Sequence, residues 1–225
     1  MSPAPRPPNS PRPSHGGPRA LVAAAPPSLV LDDADIRALG DGHALVRDGL
    51  LGSDLARSVR AEVLTLWQRG VLTPAAVGRA HAREARPDIR SDLTAWLDPS
   101  PELPALAAVH ALFAATLVVV NEAAWMGLGA FDVQVALYPG AGAAYLRHRD
   151  TFRDRPERRL TAIWYANPDW EPADGGLLRA YEPTGPRDIA PLADRLVLFR
   201  SDVLEHAVTP SHTQRVALTA WYRPL

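Results

Sequence analysis

His148 and Asp150 stand one residue apart, just after an alternating segment over residues 131–138, and His206 and Arg215 follow nearer the C-terminus. On extended backbone alternate residues share a face, so His148 and Asp150 are expected to point to one side and Arg149 to the other. Two imidazoles and one carboxylate on a common face form a ligand set suited to non-haem Fe(II), with coordination positions left open for other molecules. Taken alone, a His-x-Asp pair fits a solvated turn as readily as a metal site. The surroundings favour the site. A strand-like run covers residues 160–165, a Gly-Gly pair precedes another at 177–181, an apolar run covers 195–200, and a further strand opens at Arg215. Each candidate ligand thus falls at or near a strand edge, where rigid backbone can hold it in place.

The elements that must position these groups are bounded by length and composition. The chain of 225 residues suits one domain with a sizeable core. A net charge of −1 offers no global field for nucleic acid or a membrane surface. There is no cysteine, which excludes disulfides, thiol catalysis and Cys-based zinc sites, and no lysine, which excludes Schiff-base chemistry on a lysine amine. Any metal must be held by His and carboxylates. The N-terminal stretch carries prolines at 3, 5, 7, 8, 11 and 13 where a signal peptide needs an apolar segment. Residues 106–120 are apolar but broken by His110, short of the roughly 20 needed to span a bilayer, and read as a core helix. A cytoplasmic location is expected, without membrane or nucleic-acid partners.

Residues 1–27, rich in Pro, Ser and Gly, are expected to be a disordered tail, and 28–225 the folded domain. Asp32, Asp33 and Asp35 predict the N-terminus of a short helix around residues 36–39, and residues 43–47 a strand. Ser53 is the expected N-cap of a helix that presents Leu55, Val59, Val63, Leu64 and Trp67 on its apolar side and stops at Gly70. Residues 71–88 show no periodicity and read as a loop, either a lid or plain surface. An extended segment over 89–96 and a long helix over 105–127 follow, and from Phe131 the pattern is β. The Gly140-Ala-Gly142 sequence follows a strand without opening a helix, so it is not a phosphate loop. Helices first and strands afterwards predict an α+β fold, a jelly roll (double-stranded β-helix) braced by N-terminal helices.

A family likeness rests on many landmarks in order. They are Tyr138-Pro-Gly-Ala-Gly-Ala-Ala-Tyr-Leu-Arg-His-Arg-Asp150, Ile163-Trp-Tyr-Ala-Asn167, Gly175-Gly-Leu-Leu-Arg179, Asp194-Arg-Leu-Val-Leu-Phe199, then His206, Pro210, and Arg215 through Trp221-Tyr222. Ile89-Arg-Ser-Asp92 and Trp96 extend it upstream. Together they resemble the catalytic domain of the HIF-type prolyl hydroxylases, within the 2-oxoglutarate and Fe(II)-dependent dioxygenases, with the catalytic core over about 131–225. The Arg/Ala/Pro-rich composition suits a bacterial member.

The resemblance implies a role for each matched residue. His148, Asp150 and His206 would ligate iron. Arg215 and Tyr165 would hold the distal carboxylate of 2-oxoglutarate, and Tyr138 would line its pocket. Arg90, Asp92 and Arg158 would form a supporting charged cluster, and Trp96 and Trp221 pocket walls. Fe(II), 2-oxoglutarate and O2 are the implied cofactor and co-substrates, with ascorbate as an accessory. The implied reaction hydroxylates a prolyl residue of a protein or peptide and releases succinate and CO2. Ile163, Leu198 and Leu218 are expected to keep the pocket dry. Residues 71–88 look unlike the lid of eukaryotic members, which leaves the same chemistry on a small molecule or free amino acid open. A metal-binding module without catalysis is the other alternative. A zinc hydrolase could use the same ligands, but it would leave Arg215 without a role.

Overall fold

The structure is a computed structural model and describes residues 29–77, 84–151 and 157–225. The tail expected over 1–27 lies outside the described residues. From the N-terminus come helix α1 (Asp33–Gly40), strand β1 (Leu45–Asp48), helix α2 (Ser53–Gln68), and short strands β2 (Thr73–Pro74), β3 (Ala76–Val77) and β4 (Glu84–Ala85). Strand β5 (Leu93–Leu97) and helix α3 (Pro104–Ala124) complete this half. The second half is β6 (Leu128–Tyr138), β7 (Ala143–His148), β8 (Leu160–Tyr165), a 3-10 turn at Pro172–Asp174, β9 (Leu178–Glu182), β10 (Gly185–Ile189), β11 (Arg195–Arg200), β12 (Glu205–Ser211) and β13 (Arg215–Pro224).

Helix starts follow from their capping groups, not all of them local. Asp32 caps α1 by accepting from the Ala34 and Asp35 amides at 2.9 and 2.8 Å, and Asp35 returns a bond to the Asp32 amide, a capping box. Ser53 is not the cap of α2. That position is Gly52 at φ +92°, and the turn leading into the helix is held from across the fold by Asp194, which accepts from the Leu51 and Gly52 amides. Helix α3 is capped from a distance: Glu62 of α2 accepts from the Ala105 and Leu106 amides at 3.0 and 2.9 Å. At 21 residues α3 is long and apolar enough by composition to cross a membrane, longer than the run read from sequence. Its buried positions Ala105, Leu106, Val109, Leu112, Phe113, Thr116 and Val120 recur at helical spacing and pack into the core, as a core helix should.

The strands form two antiparallel sheets, ordered β1-β11-β8-β13-β6-β5-β2 and β10-β9-β12-β7, and a separate β3–β4 hairpin. This is the expected α+β jelly roll with N-terminal helices. The first half contributes more than helices, however: β1 forms one edge of the larger sheet and β5 with β2 the other. Segment 71–88 is likewise not plain loop. It holds β2 and the β3–β4 hairpin, with Ala76 facing Ala85; residues 78–83 lie outside the described residues. Short cross-strand pairs of this kind carry too little periodicity to be read from sequence.

Alternation along the larger sheet sorts its two faces. On β13, Val216, Leu218, Ala220 and Tyr222 join the core against the helices, while Arg215, Ala217, Thr219 and Trp221 line a cavity between the two sheets. The same alternation places Leu198 and Leu218 on the helix side, so they do not form the pocket wall expected of them. The apolar wall is Ile163, Leu178, Val208 and Ala217.

Asp194 ties this arrangement together, because its buried carboxylate also accepts from the Trp164 indole at 3.0 Å. We predict that Asp194→Ala lowers unfolding stability by about 3 kcal/mol, since it strands two amides and an indole N–H. Asp194→Asn should cost less, because Asn tolerates the φ of +57° found here. Denaturant midpoints of the two variants measure the difference.

Candidate metal centre and its cavity

The three candidate ligands converge. His148 ends β7, Asp150 sits in the bend just beyond it, and His206 on β12 lies directly opposite His148 in the register. His148 Nε2 is 3.5 Å from Asp150 Oδ1, His206 Nε2 is 3.7 Å from Asp150 Oδ2, and ligand atoms of all three lie within 4.8 Å of one another. A hydrogen bond of 2.8 Å between His148 Nδ1 and the Leu146 carbonyl puts the proton on Nδ1 and leaves Nε2 free to ligate.

Electrostatics and outer contacts prepare the set for a cation. Burial opposes ionisation of Asp150, but the two imidazoles and Arg158 outweigh it and hold its carboxyl well below the usual range. Burial, reinforced by His148, pushes His206 down to about 4, so it is neutral at pH 7 and able to ligate. The Thr161 hydroxyl donates to Asp150 Oδ2 at 2.8 Å and in turn accepts from Ser201 at 2.7 Å. This fixes the carboxylate and leaves Oδ1 for a metal. Two imidazoles and a fixed carboxylate on one side of a cavity fit Fe(II).

The cavity holds about 380 Å³. Arg215 opens β13 opposite Tyr138, the last residue of β6, and Tyr165 ends β8 beside them. The Arg215 guanidinium lies 4.8 Å from the Tyr138 ring centroid and 4.9 Å from that of Tyr165. It is 3% exposed, and its Nε donates to the Gly176 carbonyl at 2.7 Å. It makes no ion pair among the described residues. Gly176 is required here: its φ is +66°, and a Cβ would fall 2.8 Å from Arg215 Cδ. Among the described residues the buried Tyr165 hydroxyl has no hydrogen-bond partner. Burial raises the pKa of both tyrosines, so each remains a donor at neutral pH. An unpaired guanidinium beside an unsatisfied phenol is the environment a carboxylate would complete.

Most of the residues singled out from sequence line this cavity: Arg90, Trp96, Arg158 and Trp221 besides Tyr138, His148, Asp150, His206 and Arg215, with Tyr165 behind Arg215 and Asp92 buried behind Arg90. Arg90 and Asp92 form a bidentate pair at 2.8 and 2.6 Å. Arg158 does not join that pair as expected. It lies 4.0 Å over the Trp221 ring and donates to the Asp150 carbonyl at 3.2 Å. Trp96 and Trp221 stand 5.6 Å apart as the mouth of the cavity. Arg149 borders the cavity, but its side chain turns to the other face as expected, where its Nε lies 3.7 Å from Oε1 of Glu205, the residue before His206 on β12.

Sequence reading assigned no role to Thr161, Ser201, Gly176 or Tyr145. Tyr145 stacks on His148 at 3.6 Å and carries the Arg90 guanidinium at 4.5 Å. Tyr145 and His148 are three apart, so simple alternation puts them on opposite faces. A register shift between His206 and Val208 brings them to one side. An aromatic three residues before a candidate ligand was the available signal, but only a bulge makes it meaningful.

A sheet-enclosed pocket with a two-His, one-carboxylate face defines the class, and comparison with known proteins agrees. The family model for the 2OG-Fe(II) oxygenase superfamily matches residues 133–223. The hypoxia-inducible factor prolyl hydroxylase of Caenorhabditis elegans is 36% identical over 198 residues, which cover 83% of this chain but only 27% of that longer protein. The crystal structure of a Pseudomonas putida prolyl-4-hydroxylase matches with a TM-score of 0.74 at 33% identity, over 85% of this chain and 98% of that one. A prolyl hydroxylase from Trichoplax adhaerens, in complex with a hypoxia inducible factor oxygen degradation domain peptide fragment, matches with a TM-score of 0.76 at 29% identity, over 84% and 86%. The chain belongs to the 2-oxoglutarate–Fe(II) oxygenases, as a homologue of the HIF-type prolyl hydroxylases.

Calorimetric titration with Mn(II) should show binding that His148→Ala abolishes and Thr161→Val weakens about tenfold. The pH dependence has a definite sign. His206 is depressed from 6.5 to about 4, so the unfolded chain takes up its proton first. Stability of the metal-free protein is therefore full above pH 6.5 and declines as pH falls towards 4, and Asp150 adds a further loss at lower pH. Denaturant midpoints at pH 7 and pH 4.5 should differ in that direction, and the difference should shrink in His206→Gln.

Proposed function

We propose that the chain hydroxylates an unactivated carbon of a prolyl residue in a protein or peptide. One 2-oxoglutarate and one O2 are consumed, and succinate and CO2 are released. The observation that carries the reading is Arg215, buried in the same cavity as the metal ligands and without a counter-carboxylate among the described residues. Relatives named as prolyl hydroxylases, one of them bound to a peptide, support the substrate class.

The chain's own groups divide the work. Arg215 binds the distal carboxylate of 2-oxoglutarate through its planar fork, which stays charged at any working pH. The Gly176 carbonyl holds Nε and fixes the plane of that fork. Tyr165 adds a neutral donor, and Tyr138 packs against the guanidinium. Ile163, Leu178, Val208 and Ala217 exclude water, which strengthens every polar contact inside. Fe(II) at the triad supplies the O2 activation that couples decarboxylation of 2-oxoglutarate to hydroxylation of a C–H bond. Trp96 and Trp221 form the apolar entrance against which a pyrrolidine ring can lie.

Arg215→Ala should raise the KM for 2-oxoglutarate by roughly 100-fold, the equivalent of about 2.7 kcal/mol of lost charge-assisted bonding. Arg215→Lys should recover only part, because an ammonium cannot match the fork. The direct test is mass spectrometry of prolyl peptides incubated with enzyme, Fe(II) and 2-oxoglutarate. A one-oxygen gain matched by succinate is expected. Succinate formation that no prolyl substrate stimulates would remove the proline assignment.

A further inference from the structure

Alternation along β6 puts Val133, Val135 and Leu137 in the core beneath the helices, and Gln134, Ala136 and Tyr138 in the cavity wall. Register places Gln134 directly between Trp96 on β5 and Thr219 on β13, and Thr219 faces Ile163 on β8. These side chains form one row across the sheet, and all of them line the cavity. Gln134 is 5% exposed, yet its amide makes no hydrogen bond among the described residues. An amide withdrawn from water without a partner is costly, so this position gains most from a ligand that offers an acceptor and a donor together. Its place along the strands says which part of a ligand that is. Thr219, the partner of Gln134, is four residues along β13 from Arg215, about 13 Å at the rise of a strand. A five-carbon diacid anchored at Arg215 is shorter than that span. Gln134 therefore serves the outer part of the cavity, beside the Trp96 and Trp221 entrance. In the next row out Trp221 faces Asp132, and its buried Nε1 also has no hydrogen-bond partner among the described residues.

We propose that Gln134 is a specificity-determining residue whose amide pairs with the peptide group on the C-terminal side of the target proline. Proline has no N–H, so the peptide bond before it offers only an acceptor. The peptide bond after it offers both the prolyl carbonyl and the N–H of the next residue. Nε2 of Gln134 donates to that carbonyl, and Oε1 accepts from that N–H. Free proline carries a carboxylate at the same place, which only accepts and leaves Oε1 unpaired. The contact thus selects a prolyl peptide against the free amino acid. It fixes the ring from one side, which couples recognition to placement of the reacting carbon. The inference rests on the prolyl hydroxylase reading above, but the contact can be measured without turnover.

The test uses the full chain and a matched pair of substrates: a prolyl peptide, and its ester analogue in which an oxygen replaces the N–H that follows the proline. Wild-type enzyme should favour the peptide about tenfold in kcat/KM, because the ester leaves a buried acceptor unpaired. Gln134→Met keeps the length of the side chain and removes the amide. It should bring the ratio to about one by lowering kcat/KM for the peptide to the level of the ester. Intrinsic differences between ester and amide cancel, because both enzymes meet the same pair. Prolinamide should be favoured over free proline in the wild type, and by less in Gln134→Met. Calorimetric affinities for Mn(II) and 2-oxoglutarate should be the same in both proteins. No peptide preference in the wild type, an unchanged preference in Gln134→Met, or a weakened affinity of that variant for 2-oxoglutarate overturns the proposal. If Gln134→Met does not fold, Gln134→Leu replaces it, and the wild-type ratio decides if neither folds. Binding of the same pair with Mn(II) in place of iron, followed by tryptophan fluorescence, separates the contact from the reaction. A peptide preference in binding that is lost in Gln134→Met, without hydroxylation, upholds the contact and removes the reaction. Hydroxylation without the preference does the reverse.

Discussion

Asp150 and Arg215 are opposite charges buried in one cavity, and they are not paired with each other. Removing each from water is costly unless something compensates it. For Asp150 the compensation is partly built in, from two imidazoles and the Thr161 hydroxyl. For Arg215 the protein offers one carbonyl and two aromatic rings, which leave most of the fork without an acceptor. A cavity so arranged is best completed by a cation at one place and a carboxylate at the other. The sheets hold the two places at a fixed separation, because every group involved sits at or just beyond a strand end.

The fold meets that requirement through register. His148 faces His206 across β7 and β12, and Arg215 faces Tyr138 across β13 and β6. A slip of one residue in either pair would turn these side chains to the wrong face. The helix layer guards against slippage. Leu137, Leu160, Trp164, Val216 and Leu218 bury the far face of the sheet against α2 and α3, and this sets which residues face the cavity. Distant carboxylates, Asp194 at the turn before α2 and Glu62 at the start of α3, lock that layer in place. Conformational stability and the geometry of the site therefore share the same contacts.

The outer contacts explain how a site of few residues becomes rigid. Ser201 holds Thr161, which holds Asp150; Asp92 holds Arg90, which rests on Tyr145, which stacks on His148. Each chain ends on a metal ligand and starts from a buried residue. The outward face of the smaller sheet is different in kind: there Arg147 and Arg149 both pair with Glu205 and all three are partly exposed.

Much of this molecule can be read along the chain. The strand runs 160–165 and 195–200, the ligands His148, Asp150 and His206, and the arginine at the head of the last strand follow from residue type, alternation and order. These are local signals, and short-range periodicity is what a sequence displays openly. The positions that escaped depend on groups far apart in the chain. The turn before α2 is held by Asp194, the anchor of Arg215 is a carbonyl at Gly176, and Leu198 and Leu218 face the helices because their neighbours face the cavity. Tyr145 reaches His148 only through a bulge. Residue types determined which chemistry the chain could host. The packing of two sheets and a helix layer decided which of those residues meet, because burial and register are settled between elements and not within them.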